Sequence, residues 1–410
     1  MAQTDSDLRR RTRAFSCTPT SERQGLLTSA RRAGSVPSCC LRAIQKTSFI
    51  RQDPQTMNKP LSAADIRAAK AEHANKRDRD LADMLGISEA ELVAAHVGAS
   101  DTMSVTRIAH DPDTVMPLMT SLGEVMALTR NASCVHERVG TFETYKSGPH
   151  AAMVLGKEID TRIFPKHWAF GFAIENPTEK GLRRTLQFFD TAGDAVQKIF
   201  LRDTSNHDAW QPLLDVITLD DQSNEIEVAP RQPTEAPKLN PEKRDVLTQE
   251  WDRMTDTHQF NRLVSKLGMN RLGAYRLAGA PYVRAIDPKA IGDFLDAVSE
   301  ARQKVILFVG NPGNIQIHWG TLDTIKPMGP WLNVLDPRFN LHLRGDHIAE
   351  VYVVHKPTKR GPAVSLEAFD ADGMLIFQCF GQRDGEDDDL AIWHGILADL
   401  PAVNIPELAQ

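Results

Sequence analysis

Two stretches of this 410-residue chain, 125–200 and 305–380, are the same segment written twice, 180 positions apart and without a gap. Eighteen of the 76 aligned positions are identical, where unrelated chains of ordinary composition share roughly one in sixteen. Asn131 and Asn311, Gly140 and Gly320, and Phe189-Asp190 and Phe369-Asp370 are among the matches. A period this long is no solenoid repeat and marks the duplication of a whole domain. Duplicated domains often hold a ligand between them, so site residues are to be sought where the copies differ.

The bulk properties narrow the class. With 41% apolar residues the chain is long enough for two or three domains with proper cores. A net charge of −6 argues against a general nucleic-acid binder. No stretch approaches the roughly 18 consecutive apolar residues of a membrane-spanning helix, so no membrane insertion is expected. Five cysteines without a CxxC pair suit a reducing compartment. Residues 1–56 stand apart, with ten Lys/Arg against four Asp/Glu, leaving −12 on the remainder. Their Arg/Ser-rich flavour resembles a transit peptide, but the plainer reading is a disordered arm or an upstream start ahead of Met57.

The pattern beyond Met57 predicts helices over 61–73, with Ser62 as N-cap, and over 81–97, broken at Gly86 and recapped at Ser88 with Glu91 three residues on. Short alternating runs then predict strands at 125–128, 141–144, 152–155, 168–174, 185–189 and 195–201. Asp190–Gly193 and Asp370–Gly373 are matching hairpin turns. A helix over 208–216 closes this half. The second half repeats the plan, with helices at 256–267 and 271–277, its own strands, and a closing helix at 390–397. The expected fold is therefore α+β: two tandem duplicated domains, each with N-terminal helices followed by a large antiparallel sheet. The first repeat covers 57–223, a Pro-rich linker 224–241, and the second repeat 242–410.

Few residues invite chemistry. His258 lies in Asp256-Thr257-His258-Gln259, which reads as a capping box, and off the apolar stripe of Phe260, Leu263, Val264 and Leu267. The positive helix end there favours the neutral imidazole that a metal ligand needs. A capping or surface histidine fits the same pattern. Arg162, in a strand-like context, has His342 as its repeat mate. Lys356 and Arg383 face Asn176 and Asp203 in the other copy. Together with Arg271 they are three cations from one half, able to grip an acidic ligand or simply to face solvent. GxSxG, HExxH and Walker patterns are absent. Cys134 and Cys379 read as core. The residues alone end at a two-domain soluble protein that could hold an acidic ligand.

Several phrases, taken together, resemble the bacterial haemin-degrading and haemin-transport proteins, a cytoplasmic haem-utilisation family. They are Met254-Thr255-Asp256-Thr257-His258-Gln259-Phe260, Val135-His136-Glu137 within 132–141, the run 327–335, Leu341-His342-Leu343, Lys356-Pro357-Thr358 and Phe380-Gly381-Gln382-Arg383. The likeness runs from Met57 to the C-terminus. It implies haem held between the halves, with His258 as the axial iron ligand. It places Arg162 on the opposite face, Phe164 against the porphyrin, and Arg271, Lys356, Gln378 and Arg383 at the propionates. It implies either oxidative ring opening with an external electron donor or a carrier role. The partners it implies are an inner-membrane haem importer, a reductase or a separate haem oxygenase. Storage or detoxification of haem is the blandest version. Where the family often has tyrosine this chain has Phe380, a loss of one hydrogen bond worth about 1 kcal/mol.

Overall fold

The computed structural model describes residues 61–99, 103–383 and 389–404, so the expectation for residues 1–56 and Met57 lies outside it. In the first half the strands are β1 Ser104–Ile108, β2 Gly123–Arg130, β3 Cys134–Thr141, β4 Thr144–Lys146, β5 Ala152–Leu155, β6 Asp160–Ile163, β7 Phe170–Thr178, β8 Gly181–Phe189 and β9 Ala195–Ser205. In the second they are β10 Val283–Ile286, β11 Val305–Gly310, β12 Asn314–Gly320, β13 Ile325–Met328, β14 Trp331–Leu335, β15 Phe339–Arg344, β16 Glu350–Lys356, β17 Ala363–Phe369 and β18 Leu375–Gly381.

The α+β plan and the duplication are both present, but the two halves share their sheets. One nine-stranded antiparallel sheet runs β1-β7-β8-β9-β2-β3-β15-β14-β13, and the other runs β10-β16-β17-β18-β11-β12-β6-β5-β4. Each half thus lends a three-stranded meander to the other. The seams are β3 against β15, with Val135 opposite His342, and β12 against β6, with Ile315 opposite Arg162.

Local sequence explains most element ends. Ser62 with Asp65 and Ser88 with Glu91 form capping boxes on helices Ala63–Glu72 and Glu89–Ala94. Between them Gly86 closes helix Asp78–Leu85 in the left-handed conformation, at φ 71°. The Asp190 and Asp370 turns form as read, each aspartate accepting from two backbone N–H groups ahead of a positive-φ glycine. Two expectations change. The run 141–144 is the break between β3 and β4, and β3 itself is a strand the pattern did not announce. Helices Arg244–Asp252 and Ile291–Glu300 were also not among the expected elements. Cys134 and Cys379 are buried core thiols, their pKa raised by burial.

Helices Ile291–Glu300 and Asp389–Asp399 pack Phe294, Leu295, Val298, Trp393 and Leu397 against Leu307, Val309 and Leu366 of one sheet. Leu341 and Leu343 of β15 join that core, as Val154 and Ile163 join its first-half counterpart. Where the central strands of the sheets meet, the contact is polar. The Thr129 hydroxyl donates to Gln316 Oε1 (2.8 Å), Asn314 Nδ2 donates to Thr129 Oγ1 (2.7 Å), and Gln316 Nε2 donates to His136 Nδ1 (3.0 Å). His318 stacks on Phe339 at 3.8 Å, and His136 meets the same ring edge-on.

Both histidines are buried and neutral. Burial first, then the charge of Arg138, lowers His318 to about 3; burial, with His318 and Arg138 beside it, lowers His136 well below its usual value. The unfolded chain takes up protons near pH 6.5 while the folded chain refuses them. Stability is therefore full above 6.5 and falls as pH drops towards 3. We predict a loss of about 2 kcal/mol per histidine by pH 5, read from denaturant midpoints at pH 7 and 5. His136→Gln, which copies its repeat mate, should remove about half of that dependence; a midpoint indifferent to pH contradicts it.

Candidate functional site

His258 stands in front of a helix that the sequence places well but starts early. The helix runs Gln259–Lys266, with His258 as its N-cap residue. Asp256 does not cap it. Its Oδ1 accepts the His258 backbone N–H (2.8 Å) and the His258 ring at Nδ1 (2.7 Å), and Gln259 reaches back to the Thr255 N–H (2.9 Å). These bonds hold the Asp256 carboxyl below its usual pKa. An ionised carboxylate can only accept, so in the neutral ring Nδ1 carries the proton and Nε2 holds the lone pair. The side chain is 95% exposed. A histidine anchored at one nitrogen and open at the other is the usual form of a metal ligand. Among the described residues no three His, Cys, Asp or Glu side chains converge as a cage for a bare metal ion.

The helix is fixed to the sheet by its apolar face. Phe260 and Val264 are buried with Trp251, Tyr275, Tyr352 and Phe369. They cover the β10-β16-β17 end of the sheet and leave the rest of that face open. Directly paired residues share a face of an antiparallel sheet, so the register defines the surface. Glu367 lies opposite Gln378, Gln378 opposite Phe308, Phe308 opposite Ile317, and Ile317 opposite Asp160. One pair along, Phe380 faces Ile306, and Ile315 faces Arg162. Ile306, Phe308, Ile315 and Phe380 are half-buried, and the rings of Phe308 and Phe380 meet edge-on at 5.8 Å. From β17 to β6 this apolar floor spans about 19 Å, four strand spacings. Phe380 contributes a ring to the floor.

The polar end of the floor converges on a residue that the sequence analysis did not single out. Glu367 is fully buried and accepts from five side chains: Arg271 (3.0 Å), Tyr275 (2.9 Å), Lys356 (2.8 Å), Ser365 (2.8 Å) and Gln378 (2.6 Å). Burial opposes its ionisation, but Lys356 and Arg271 outweigh burial and hold its pKa at about 2. Lys356 is enclosed and lowered to about 8, chiefly by burial, with its ammonium over the ring of Phe260. Three of the expected anion-binding residues are thus brought together around an internal carboxylate. Lys356 is committed to it. Arg271, one quarter exposed, also reaches Asn261 at 3.2 Å. Arg383 stands apart, its guanidinium donating to the carbonyls of Arg360 and Pro362.

Arg162 arrives from the first half on β6, at the far end of the floor. It pairs with Asp160 and donates to the Thr161 carbonyl at 3.0 Å. Phe164 follows β6, half-buried, its N–H donating to Gly313 O at 2.9 Å. The copy of this surface on the other sheet has inverted polarity. There Lys198, the mate of Gln378, and Arg130 pair with buried Glu89, while Gln187 occupies the place of Glu367. The sequence signals that could have found Glu367 are its divergence from Gln187 and the alternation of Ser365 and Glu367 within an apolar strand.

Comparison with known proteins shows the family and the duplicated fold. The haemin-degrading HemS.ChuX domain matches twice, over residues 86–216 and 268–400. The haemin transport protein HmuS of Yersinia pestis is 35% identical over 334 residues, covering 81% of this chain and 95% of HmuS. The crystal structure of holo-PhuS, a haem-binding protein from Pseudomonas aeruginosa, superposes with a TM-score of 0.78 at 37% identity, covering 84% of this chain and 100% of PhuS. That of ChuS, described as an E. coli haem oxygenase, superposes at 0.72 with 34% identity, over 82% of this chain and 99% of ChuS.

Removing the carboxylate of Glu367 leaves Lys356 and Arg271 buried without a counter-charge. Glu367→Ala should therefore cost about 3–5 kcal/mol of folding stability, measured by urea unfolding at pH 7. A loss below about 1 kcal/mol would mean the cluster is held by other contacts.

Proposed function

The chain belongs to the haemin-degrading HemS/ChuX family, and we propose that it works in haem-iron acquisition in the cytoplasm, binding haem and opening its ring to release iron. The single observation that carries this reading is the pairing of two ends. An exposed imidazole stands in front of the helix that covers one end of a half-buried apolar face, and Arg162 stands at the other end. Haem is flat, apolar in the middle and anionic at one edge, and the residues present fit it. Nε2 of His258 would ligate the iron, with Asp256 fixing the tautomer and raising the basicity of the ring. Phe308, Phe380 and Ile306 would meet the macrocycle, and Phe164 would flank it beside Arg162. Arg271 and Gln378 have the outward reach for propionates. Lys356 acts through Glu367, holding Arg271 and Gln378 in place, and Arg383 offers a further cation at the rim.

Haem, once bound, supplies the redox chemistry of iron, with electrons from an external donor. The protein supplies a neutral ligand on one side and a guanidinium on the other, where it steadies developing negative charge by hydrogen bonding. The apolar floor keeps water off the ring.

One observation favours the carrier reading as well. A ligand as exposed as His258 leaves the iron side open to a partner, as hand-over to a separate haem oxygenase requires. An inner-membrane importer would be the source of the haem, and a reductase the partner for turnover.

The deciding assay loads the full chain with haem and supplies ascorbate or a reductase with catalase present, following the Soret band. Degradation predicts loss of the band with one open-chain tetrapyrrole per haem. A band that persists and moves to an added apo-oxygenase would establish the carrier instead. His258→Ala should weaken haem affinity at least tenfold, to the order of 100-fold, and alter the ferric spectrum. An unchanged spectrum would remove His258 as the ligand.

A further inference from the structure

Arg162 is held by two residues that nothing so far assigns a role. Asp160 is two positions before it on β6 and on the same face. Its carboxylate takes Arg162 Nη1 on Oδ1 and the indole N–H of Trp319 on Oδ2, at 2.9 Å. The carboxylate is 8% exposed, against a third for the Arg162 side chain. Trp319, on β12, is 40% exposed beside them, a large apolar surface left open on the same face. The second partner of Arg162, the Thr161 carbonyl, keeps the guanidinium folded back along its own strand.

The duplication supplies an independent control. The repeat mates of Asp160, Arg162 and Trp319 are Asn340, His342 and Val139. The other copy keeps none of the three, so the carboxylate and the indole are absent where the arginine is absent. A structural ion pair alone would need no indole; the second oxygen of Asp160 would be free to rotate. With both oxygens fixed, the carboxylate stays where it offsets the guanidinium charge.

We propose that Asp160 and Trp319 are positioning residues for Arg162, setting the direction of its guanidinium and limiting the positive charge it presents to a ligand on the floor. This rests on the haem reading above. A fixed carboxylate next to the cation weakens its pull on any anion at the ligand's open side. In effect the protein keeps an arginine's hydrogen-bonding fork while blunting its charge, so that small anions in the cell compete less for the iron.

The test uses the full chain loaded with ferric haem and titrated with azide, read from the shift of its optical spectrum. Asp160→Asn keeps the shape and removes the charge, and should tighten azide binding about tenfold. Trp319→Phe releases Oδ2 and should change azide affinity in the same direction by a smaller factor, about two- to threefold. In the Asp160→Asn, Arg162→Gln double variant the gain should vanish, because it acts through the arginine. The inference is overturned if azide affinity is unchanged in both single variants while Arg162→Gln lowers it. It is also overturned if the gain survives in the double variant. If Arg162→Gln itself leaves azide affinity unchanged, the placement of Arg162 opposite His258 falls and the inference with it. A spectrum altered by His258→Ala would still stand separately. Should Asp160→Asn fail to fold, Trp319→Phe carries the test with the same sign.

Discussion

The hydrogen bonding of β6 to β12 decides where chemistry can happen in this molecule. Without that ladder Arg162 would belong to the first half's own sheet, far from the helices that carry His258. With it, three strands of the first half, β4 to β6, extend the second half's sheet, Ile315 faces Arg162, and the arginine closes a surface whose other end is built entirely from the second half. The reciprocal ladder, β3 with β15, brings His342 to the equivalent place on the other sheet. The exchange is symmetric, and what it delivers is not. The asymmetry of the side chains, imposed on a symmetric frame, gives the two faces different surfaces.

The charge cluster at the head of the floor shows how that asymmetry is maintained. In the second half the carboxylate is on the sheet, Glu367, and the cations come from a helix and a neighbouring strand, Arg271 and Lys356. In the first half the carboxylate is on the helix, Glu89, and the cations are on the sheet, Lys198 and Arg130. Each arrangement surrounds its buried carboxylate with two cations, the counter-charge that a buried ion needs. The former keeps Arg271 and Gln378 at the border with solvent. The same physical requirement, met in two ways, leaves one half able to receive an anionic edge.

Much of this was legible in the sequence. The duplication, the caps at Ser62 and Ser88, the Asp190 and Asp370 turns and the position of His258 all rest on local pattern, and local pattern reports them. The resemblance pointed to Arg162, Arg271, Lys356 and Gln378; Arg271, Lys356 and Gln378 meet at Glu367, and Arg162 lies across the same sheet. The pairing of β6 with β12 was not legible, because partners more than 150 positions apart leave no trace in a single chain's periodicity. Strand β3 escaped because His136 and Arg138 belong to a polar layer between sheets, so the usual alternation of apolar and polar residues does not mark it. Asp256 reads as a cap in sequence because an aspartate three residues before a helix and one at its cap look alike. Glu367 was hidden for a similar reason, since a buried acid is recognised by its partners and not by its neighbours in the chain.

The lent meanders also bear on how such a chain is made. During synthesis β3 is complete at Thr141, but its partner β15 begins only at Phe339. The ribosome must add roughly 200 residues in between, which at about 5–20 residues per second takes on the order of 10–40 seconds. Through that interval the edge of β3 offers unpaired backbone groups to anything nearby, including a neighbouring nascent copy of itself. The tenancy of that edge is settled late, by the chain's own second half.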